Sequence, residues 1–203
     1  MAGFDGQRVR AKLLTGGFAQ AQERFQDAQA DNDPEVAFYA LFETLNWAHA
    51  VDDLIALTWS PRGKVQGYDW RCDPALAGSE ELAYIMGGLR YARNRVHHQW
   101  AAALDMEKAG RSGLTFPVSF PVTFRAVSAW IWRAVEDLPT PSNEGREAKG
   151  KAAYTKALDG RPPQEALAAI GQAFAFIGSL LDPSIAVRTP PVVEVDGGGT
   201  PAA

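Results

Sequence analysis

One stretch of the chain, residues 79–110, limits the possible folds more than any other. Its apolar residues recur mostly three or four positions apart, which places them on one face of an α-helix. These residues are Leu82, Ile85, Leu89, Val96, Trp100 and Leu104. Ser79 and the two glutamates after it suit a helix N-terminus, and Gly110 suits its end. The pattern therefore predicts a long amphipathic helix over residues 79–106.

Gly87 and Gly88 lie in the interior of this predicted helix. Each interior glycine costs about 1 kcal/mol relative to alanine, so the pair needs a compensating role. We interpret it as a close helix–helix crossing rather than a kink. The partner is either the same helix of a second protomer, with Tyr91 or Trp100 as interface anchors, or helix 34–58 of the same chain.

The chain is acidic overall and basic in one place. A formal net charge of −4 over 203 residues disfavours general nucleic-acid binding, but residues 90–98 hold three arginines and two of the three histidines. Cys72 is the single cysteine, no N-terminal apolar stretch resembles a signal peptide, and no apolar run reaches the ~18 residues of a spanning helix. These features predict a cytoplasmic protein without a disulfide or a membrane segment.

A second long helix is predicted at residues 34–58. Asp33 and Pro34 are a typical helix start, because aspartate caps the free N–H groups and proline lacks an N–H that would be unpaired there. We expect helices 34–58 and 79–106 to form the central pair of an antiparallel bundle. The predicted fold class is therefore all-α.

Three shorter helices and a tail complete the predicted domain. The helices are expected at residues 17–30, after a break at Gly16-Gly17, and at residues 149–159 and 164–181. Residues 1–181 then form a single domain. Residues 182–203 contain four prolines and three consecutive glycines with little apolar pattern, so we expect a disordered tail.

Three further segments lie between the predicted main helices: a loop, an extended segment and a helix with two tryptophans. The aromatic residues of loop 59–78 are expected to form a small core of their own, although a loop of this length can also be functional. Residues 114–124 contain two prolines and predict an extended segment or at most an edge strand, which alone does not make a sheet. Residues 122–137 are predicted as a helix on which Trp130 and Trp132 cannot share a face, so one of them is expected at the surface or in a partner.

The basic segment contains a short motif in which Arg93 and Asn94 are followed by three residues and then His98. This Arg-polar-x-x-x-His spacing, in the second half of a long helix, resembles the motif of the HEPN superfamily. These are small all-α domains, many of them metal-independent endoribonucleases of toxin and phage-defence systems. The resemblance covers the motif and the two long helices. It implies an RNA substrate, a homodimer with both motifs facing one cleft, an antitoxin or another protein as a further partner, and no cofactor or metal.

The same resemblance implies a role for each motif residue. His98 is the general acid or base on the attacking 2′-hydroxyl or the leaving oxygen, which suits a histidine near pH 7. Arg93 holds the scissile phosphate, and Asn94 orients the histidine or the phosphate. Arg90 is a supporting residue of the basic segment, and Arg95 and His97, which fall within the motif, are either supporting residues or bystanders.

Helix 34–58 carries polar residues that bear on a site. In the expected antiparallel register Glu43 comes opposite the motif, where its carboxylate can pair with an arginine and fix its rotamer. His49, Asp52 and Asp53 share one side of the helix, as metal ligands could, but this spacing is more typical of an i,i+4 pair between His49 and Asp53. We therefore predict no metal site.

Two other interpretations stay open. The protein can be a non-catalytic helical binding module, whose basic face of Arg90, Arg93 and Arg95 binds a nucleotide, nucleic acid or an acidic protein. The segment can also be a solvated, charged helix face with no ligand. The sequence has no Gly-rich phosphate loop, no paired cysteines for zinc, no His-Glu-x-x-His and no Gly-x-Ser-x-Gly.

Overall fold

The computed structural model describes residues 2–58, 69–96, 100–108, 128–139 and 144–180. Within these ranges the chain forms five α-helices, one two-stranded sheet and four short 3-10 helices. The helices are α1 (Ala2–Ala30), α2 (Pro34–Thr58), α3 (Glu80–Arg95), α4 (Glu144–Ala157) and α5 (Pro163–Leu180), and the strands are β1 (Leu104–Lys108) and β2 (Ser128–Trp132). The 3-10 helices are Trp70–Cys72, Pro74–Leu76, Trp100–Ala103 and Val135–Asp137. The predicted all-α bundle is confirmed.

Helices α1 and α2 form an antiparallel hairpin. The predicted start of α2 is confirmed, because the Asp33 carboxylate accepts a hydrogen bond from the N–H of Val36 at 3.0 Å. The predicted break at Gly16-Gly17 is wrong, since α1 continues through both glycines. A Cβ atom on Gly17 would lie 2.8 Å from the ring of Trp47, so this glycine allows the hairpin to pack closely.

Helices α3 and α4 cross at the glycine pair of α3. A Cβ on Gly88 would lie 3.0 Å from the Cα of Tyr154, and a Cβ on Gly87 would lie 3.2 Å from the Cβ of Ala153. The predicted close crossing is therefore confirmed, but its partner is neither a second protomer nor α2. The expected central pair of helices 34–58 and 79–106 is also wrong, because α2 packs along α1 and α3 packs along α4.

The chain changes from helix to strand after α3. Helix α3 ends at Arg95 instead of continuing to residue 106, and Leu104 begins β1, which pairs antiparallel with β2. The predicted helix over residues 122–137 is likewise wrong in its described part. Residues 128–132 form a strand, in which side chains two positions apart lie on one face, so Trp130 and Trp132 point the same way. Both rings face the core, with Trp132 fully buried and Trp130 packed 5.2 Å from Phe38, centroid to centroid.

The described part of the aromatic loop joins the main core. Trp70 is buried, its indole lies 6.4 Å from the ring of Phe174 on α5, and its Nε1 donates to Asp52 at 2.9 Å. The expectation that the loop builds a separate small core is wrong for this residue. Residues 59–68, the predicted extended segment 114–124 and the predicted tail 182–203 lie outside the described residues.

Helix α5 packs on α1. Phe18 and Phe174 meet edge to face at 5.0 Å, and the Gln22 side chain donates to the Leu167 carbonyl at 3.0 Å. The span of α5 confirms the predicted final helix. None of the helices in the described ranges combines the length and apolarity needed to cross a membrane.

Candidate active site at the end of helix α3

Helix α3 places the predicted motif at its C-terminal end. The helix begins at Ser79, whose hydroxyl accepts from the Leu82 N–H at 3.0 Å, and its last residue is Arg95. Arg93 is half-buried and Asn94 is exposed in the last turn. His98, the predicted catalytic histidine, and its neighbour His97 lie outside the described residues, between the buried residues Val96 and Trp100. The helix therefore fixes the backbone of two of the three predicted catalytic residues.

Arg90, one turn before the motif, is held by helix α2. Its Nη2 lies 2.6 Å from Asp52 Oδ2 and 3.2 Å from Asp53 Oδ1. The Asp52 side chain is only 1% exposed, whereas 44% of the Arg90 side chain is exposed. Both contacts use one nitrogen, and a guanidinium group carries five N–H donors. The two aspartates of α2 therefore hold Arg90 on one side, while part of its side chain faces solvent.

The Asp52 carboxylate also contacts residues 69–72, the segment that precedes α3. Arg71 Nη1 lies 4.0 Å from Asp52, and Arg71 Nε lies 2.6 Å from Asp69. Burial lowers the pKa of Arg71, but the hydrogen bond to Asp69 and the charge of Asp52 outweigh it, and the net shift is upward. With the Trp70 indole as a further donor, Asp52 links α2, α3 and residues 69–72.

Arg95 links α3 to α4 instead of facing solvent. It is 8% exposed, its Nη2 lies 2.5 Å from Glu147 Oε1, and its guanidinium group lies 5.7 Å from the centroid of the Tyr91 ring. A guanidinium–carboxylate pair in this position orients the two helices. The interpretation of Arg95 as part of an exposed basic face is therefore wrong.

Glu43 does not lie against the motif. Its carboxylate pairs with Arg24 of α1 at 2.5 Å and accepts from the Trp47 indole at 3.2 Å. The prediction assumed that α2 and α3 form one hairpin, whereas this part of α2 packs on α1. Glu43 is accordingly a residue of the α1–α2 hairpin, and its predicted supporting role is wrong.

His49 and the two aspartates of α2 have different surroundings. The His49 ring is buried and stacks on Trp100, with centroids 5.6 Å apart, while Asp52 and Asp53 both contact Arg90. Across the described ranges, no group of three or more His, Cys, Asp or Glu residues is arranged to hold a metal ion.

An open groove of about 470 Å³ runs along α3 from Glu80 to Asn94. Helix α4 forms its other wall, with Lys149 and Gly150, and Arg71 and Cys72 close one side. Sequence reasoning found Arg90 and Asn94 but missed the groove. The residues of α3 that line the groove recur three or four positions apart, and this spacing is visible in the sequence. The contributions of α4 and of residues 69–72 were not, because they depend on tertiary packing.

Comparisons with known proteins assign the chain to no family. No protein-family model matches the chain, and neither the curated proteins nor the solved structures contain a match.

Proposed function

We propose that the chain is a HEPN-like, metal-independent endoribonuclease of a toxin or phage-defence type that acts in the cytoplasm. One observation carries the proposal. Arg93 and Asn94 occupy the last turn of a helix whose backbone is fixed by close packing, with Asn94 at the mouth of an open groove, and His98 follows within four residues. A rigid helix end holds Arg93 and Asn94 more accurately than a loop would.

The reaction needs only these side chains and the substrate's own 2′-hydroxyl. His98 removes the proton of the 2′-hydroxyl, the 2′-oxygen attacks the adjacent phosphorus, and the bond to the 5′-oxygen breaks. The leaving 5′-oxygen takes up the proton that His98 removed, so the products carry a 2′,3′-cyclic phosphate and a 5′-hydroxyl. Arg93 stabilises the charge that develops on the phosphate oxygens, and Asn94 orients the phosphate or the histidine.

The ion pairs of the described residues favour this reaction over a purely basic binding face. Binding through Arg90, Arg93 and Arg95 requires three accessible cations, yet Arg95 is buried against Glu147. Cleavage requires one arginine at the scissile phosphate. The Arg95–Glu147 pair instead supports the end of α3 by tying it to α4.

The proposal includes a homodimer, in which two copies of the motif face one cleft. Gly88, Tyr91 and Trp100 are buried within the chain and Gly87 packs against Ala153 of α4, so the interface has to use other residues, around the exposed Asn94. Sedimentation velocity at micromolar concentration tests this part. We expect a dimer that Asn94→Arg weakens; a monomeric wild-type protein would remove the two-protomer site while leaving the chemistry of one motif to be assayed.

The activity is tested with purified protein and single-stranded RNA in the presence of a chelator. We expect wild type to cleave and His98→Ala and Arg93→Ala to lose at least about a hundredfold in rate, the scale of one acid–base or phosphate-stabilising group. Lys151→Ala is the control, because Lys151 is an exposed residue of α4 that has no place in the motif. Equal cleavage by all four proteins would show that the activity belongs to a contaminant and would exclude the proposal.

A further inference from the structure

Four polar residues of α2 share one side of that helix. Asn46, His49, Asp52 and Asp53 are three or four positions apart, which is the spacing of neighbours on a helical surface. His49 and Asp52 are buried, and their side chains contact the chain on either side of the predicted motif. This side of α2 therefore faces the segment that carries the motif.

The motif segment is attached to this side of α2 at two points. Before the motif, Arg90 Nη2 lies 2.6 Å from Asp52 Oδ2. After the motif, the Trp100 indole stacks on the His49 ring, with centroids 5.6 Å apart and planes inclined by 20°. The Trp100 Nε1 also lies 3.5 Å from Asn46 Oδ1, and the indole is fully buried. An ion pair holds the first point, and aromatic stacking holds the second.

The two attachment points lie close together on α2, although Arg90 and Trp100 are ten positions apart in the chain. His49 and Asp52 are three positions apart, so they are separated by only about 4.5 Å along the axis of α2. From Arg90 to its end at Arg95, α3 advances by about 7.5 Å. The chain therefore leaves α2 at Arg90 and returns to it at Trp100.

The three predicted catalytic residues all lie between these two points. Arg93 and Asn94 follow Arg90 within the last turn of α3, and His98 is two positions before Trp100. Two positions of chain span at most about 7 Å, so the fixed indole limits where the His98 backbone can lie. Catalytic groups have to be held within about 0.5 Å of the productive geometry, and an error of about 1 Å can cost about a hundredfold in rate.

We propose that His49 is a positioning residue of the candidate active site, and that it holds His98 in place relative to Arg93 through the ring of Trp100. His98 is the reacting group under the proposed ribonuclease function, on which this inference rests. The site then depends on the buried side of α2, a helix that contributes none of the three reacting groups.

Two substitutions at His49 separate the flat ring from the volume that it fills. His49→Phe keeps an aromatic ring against Trp100, whereas His49→Leu keeps a buried side chain without a ring plane. Thr44→Val is the matched control, because Thr44 is a buried polar residue of the same helix whose hydroxyl donates to the Ala40 carbonyl at 2.7 Å. Circular dichroism and urea unfolding establish that each variant is folded under the assay conditions. RNA cleavage is measured as separate kcat and KM values.

We expect His49→Leu to lower kcat by about thirtyfold and to leave KM within about twofold, because the reacting groups are misplaced while RNA still binds. His49→Phe should keep kcat within about threefold of wild type. Thr44→Val should also keep it, although a buried hydroxyl is lost. Asn46→Ala is a milder variant that removes only the acceptor of the Trp100 indole, and it should lower kcat by about threefold.

A second measurement does not depend on cleavage. The chain has three histidines, so its imidazole proton signals are few in an NMR spectrum, and the signal of His98 is the one that is missing in His98→Ala. We expect this signal to shift and broaden in His49→Leu. It should stay close to its wild-type position in His49→Phe and in Thr44→Val.

The kinetic results can overturn the inference in three ways. Equal kcat values for His49→Leu and His49→Phe would do so, and so would an equal loss of kcat in His49→Leu and Thr44→Val. A rise in KM with unchanged kcat would do so as well, since RNA binding rather than the position of His98 would have changed. If His49→Leu does not fold, Asn46→Ala decides, and a wild-type kcat in that variant overturns the inference.

Failure of the ribonuclease proposal is a separate outcome. Wild-type protein that does not cleave RNA removes the activity, and the His98 signal then decides the inference. A signal that moves in His49→Leu but not in Thr44→Val keeps His49 as the residue that positions His98. An equal signal in His49→Leu and wild type overturns that role.

Discussion

The two halves of α3 differ in what holds them. The first half is packed by shape, since Gly87 and Gly88 let α4 approach to backbone contact. The second half is held by charge, with Arg90 bound to α2 and Arg95 bound to α4. Ion pairs therefore position the C-terminal end of α3, whereas close packing positions the part around the two glycines. The two halves should therefore respond differently to substitution.

The largest effect is expected in the packed half. Gly88→Leu places a branched side chain where a Cβ already lies 3.0 Å from the Tyr154 Cα, so α3 and α4 have to separate. We expect a loss of about 3 kcal/mol or more in the free energy of unfolding, measured by urea denaturation. Gly16→Ala is the control, because its Cβ would meet nothing within 4 Å, and it should stabilise α1 by about 0.5–1 kcal/mol. A Gly88→Leu protein as stable as wild type would disprove the tight crossing.

Substitutions that remove ion pairs in the charged half should cost less free energy of unfolding. The cost should be larger where the lost carboxylate is buried. Asp52→Ala leaves the Trp70 indole and Arg90 without their buried acceptor, and we expect a cost of about 2–3 kcal/mol. Asp53→Ala is the matched control, since Asp53 contacts the same arginine from a side chain that is 61% exposed, and it should change stability by less than about 0.5 kcal/mol. Similar urea midpoints for the two variants would mean that Asp52 does not anchor the motif helix.

A pH-dependent effect is expected at the α3–α4 crossing. Burial raises the pKa of Tyr154, whose hydroxyl donates to the Arg133 carbonyl at 2.6 Å. The folded chain keeps this proton at pH values where the unfolded chain has released it, so stability is full below about pH 10 and falls above it. Tyr154→Phe should lose about 1 kcal/mol at pH 7, for the missing hydrogen bond, and show a flatter decline above pH 10 in thermal melts. A wild-type decline no steeper than that of the variant would contradict the assignment.

The smallest effect is expected at the exposed start of α3. Lys156 contacts Glu80 at 3.4 Å and lies over the Tyr84 ring. Hydrogen bonds from Tyr84 and Lys156 lower the pKa of Glu80, so this contact is present above about pH 4 and is lost as the pH falls through the lowered value. Because these side chains are exposed, Lys156→Ala should leave the melting temperature at pH 7 unchanged within error. A large drop would show that the groove end is more rigid than its exposure indicates.

The sequence predicted local elements better than their partners. The capped start of α2 at Asp33 and the close crossing at Gly87-Gly88 follow from local chemistry, and both are present. The partner of the glycine pair did not follow, because the contact surface of α4 is marked only by Ala153 and Tyr154 in a helix of mostly small and charged residues. Trp130 and Trp132 were misassigned because their two-residue spacing was judged against a helix rather than against a strand.

The candidate site was predictable only along α3. Arg93 and Asn94 share one helix, so their spacing could be interpreted directly, whereas the pairing of Arg95 with Glu147 depends on how α4 crosses α3. The failure of Glu43 has the same origin. Its expected position assumed that the two longest helices are neighbours, and long amphipathic helices carry no signal for which partner they choose.

We propose that the end of α3 cleaves RNA by attack of the RNA's own 2′-hydroxyl. The chemical nature of the new RNA ends tests this proposal. RNA is incubated with wild-type protein in chelator, and the new ends are analysed by mass spectrometry beside a substrate with a single 2′-deoxy nucleotide at the cleaved position. We predict a 2′,3′-cyclic phosphate and a 5′-hydroxyl from RNA and no cleavage at the 2′-deoxy position. Products with a 5′-phosphate, or cleavage at the 2′-deoxy position, would contradict the account.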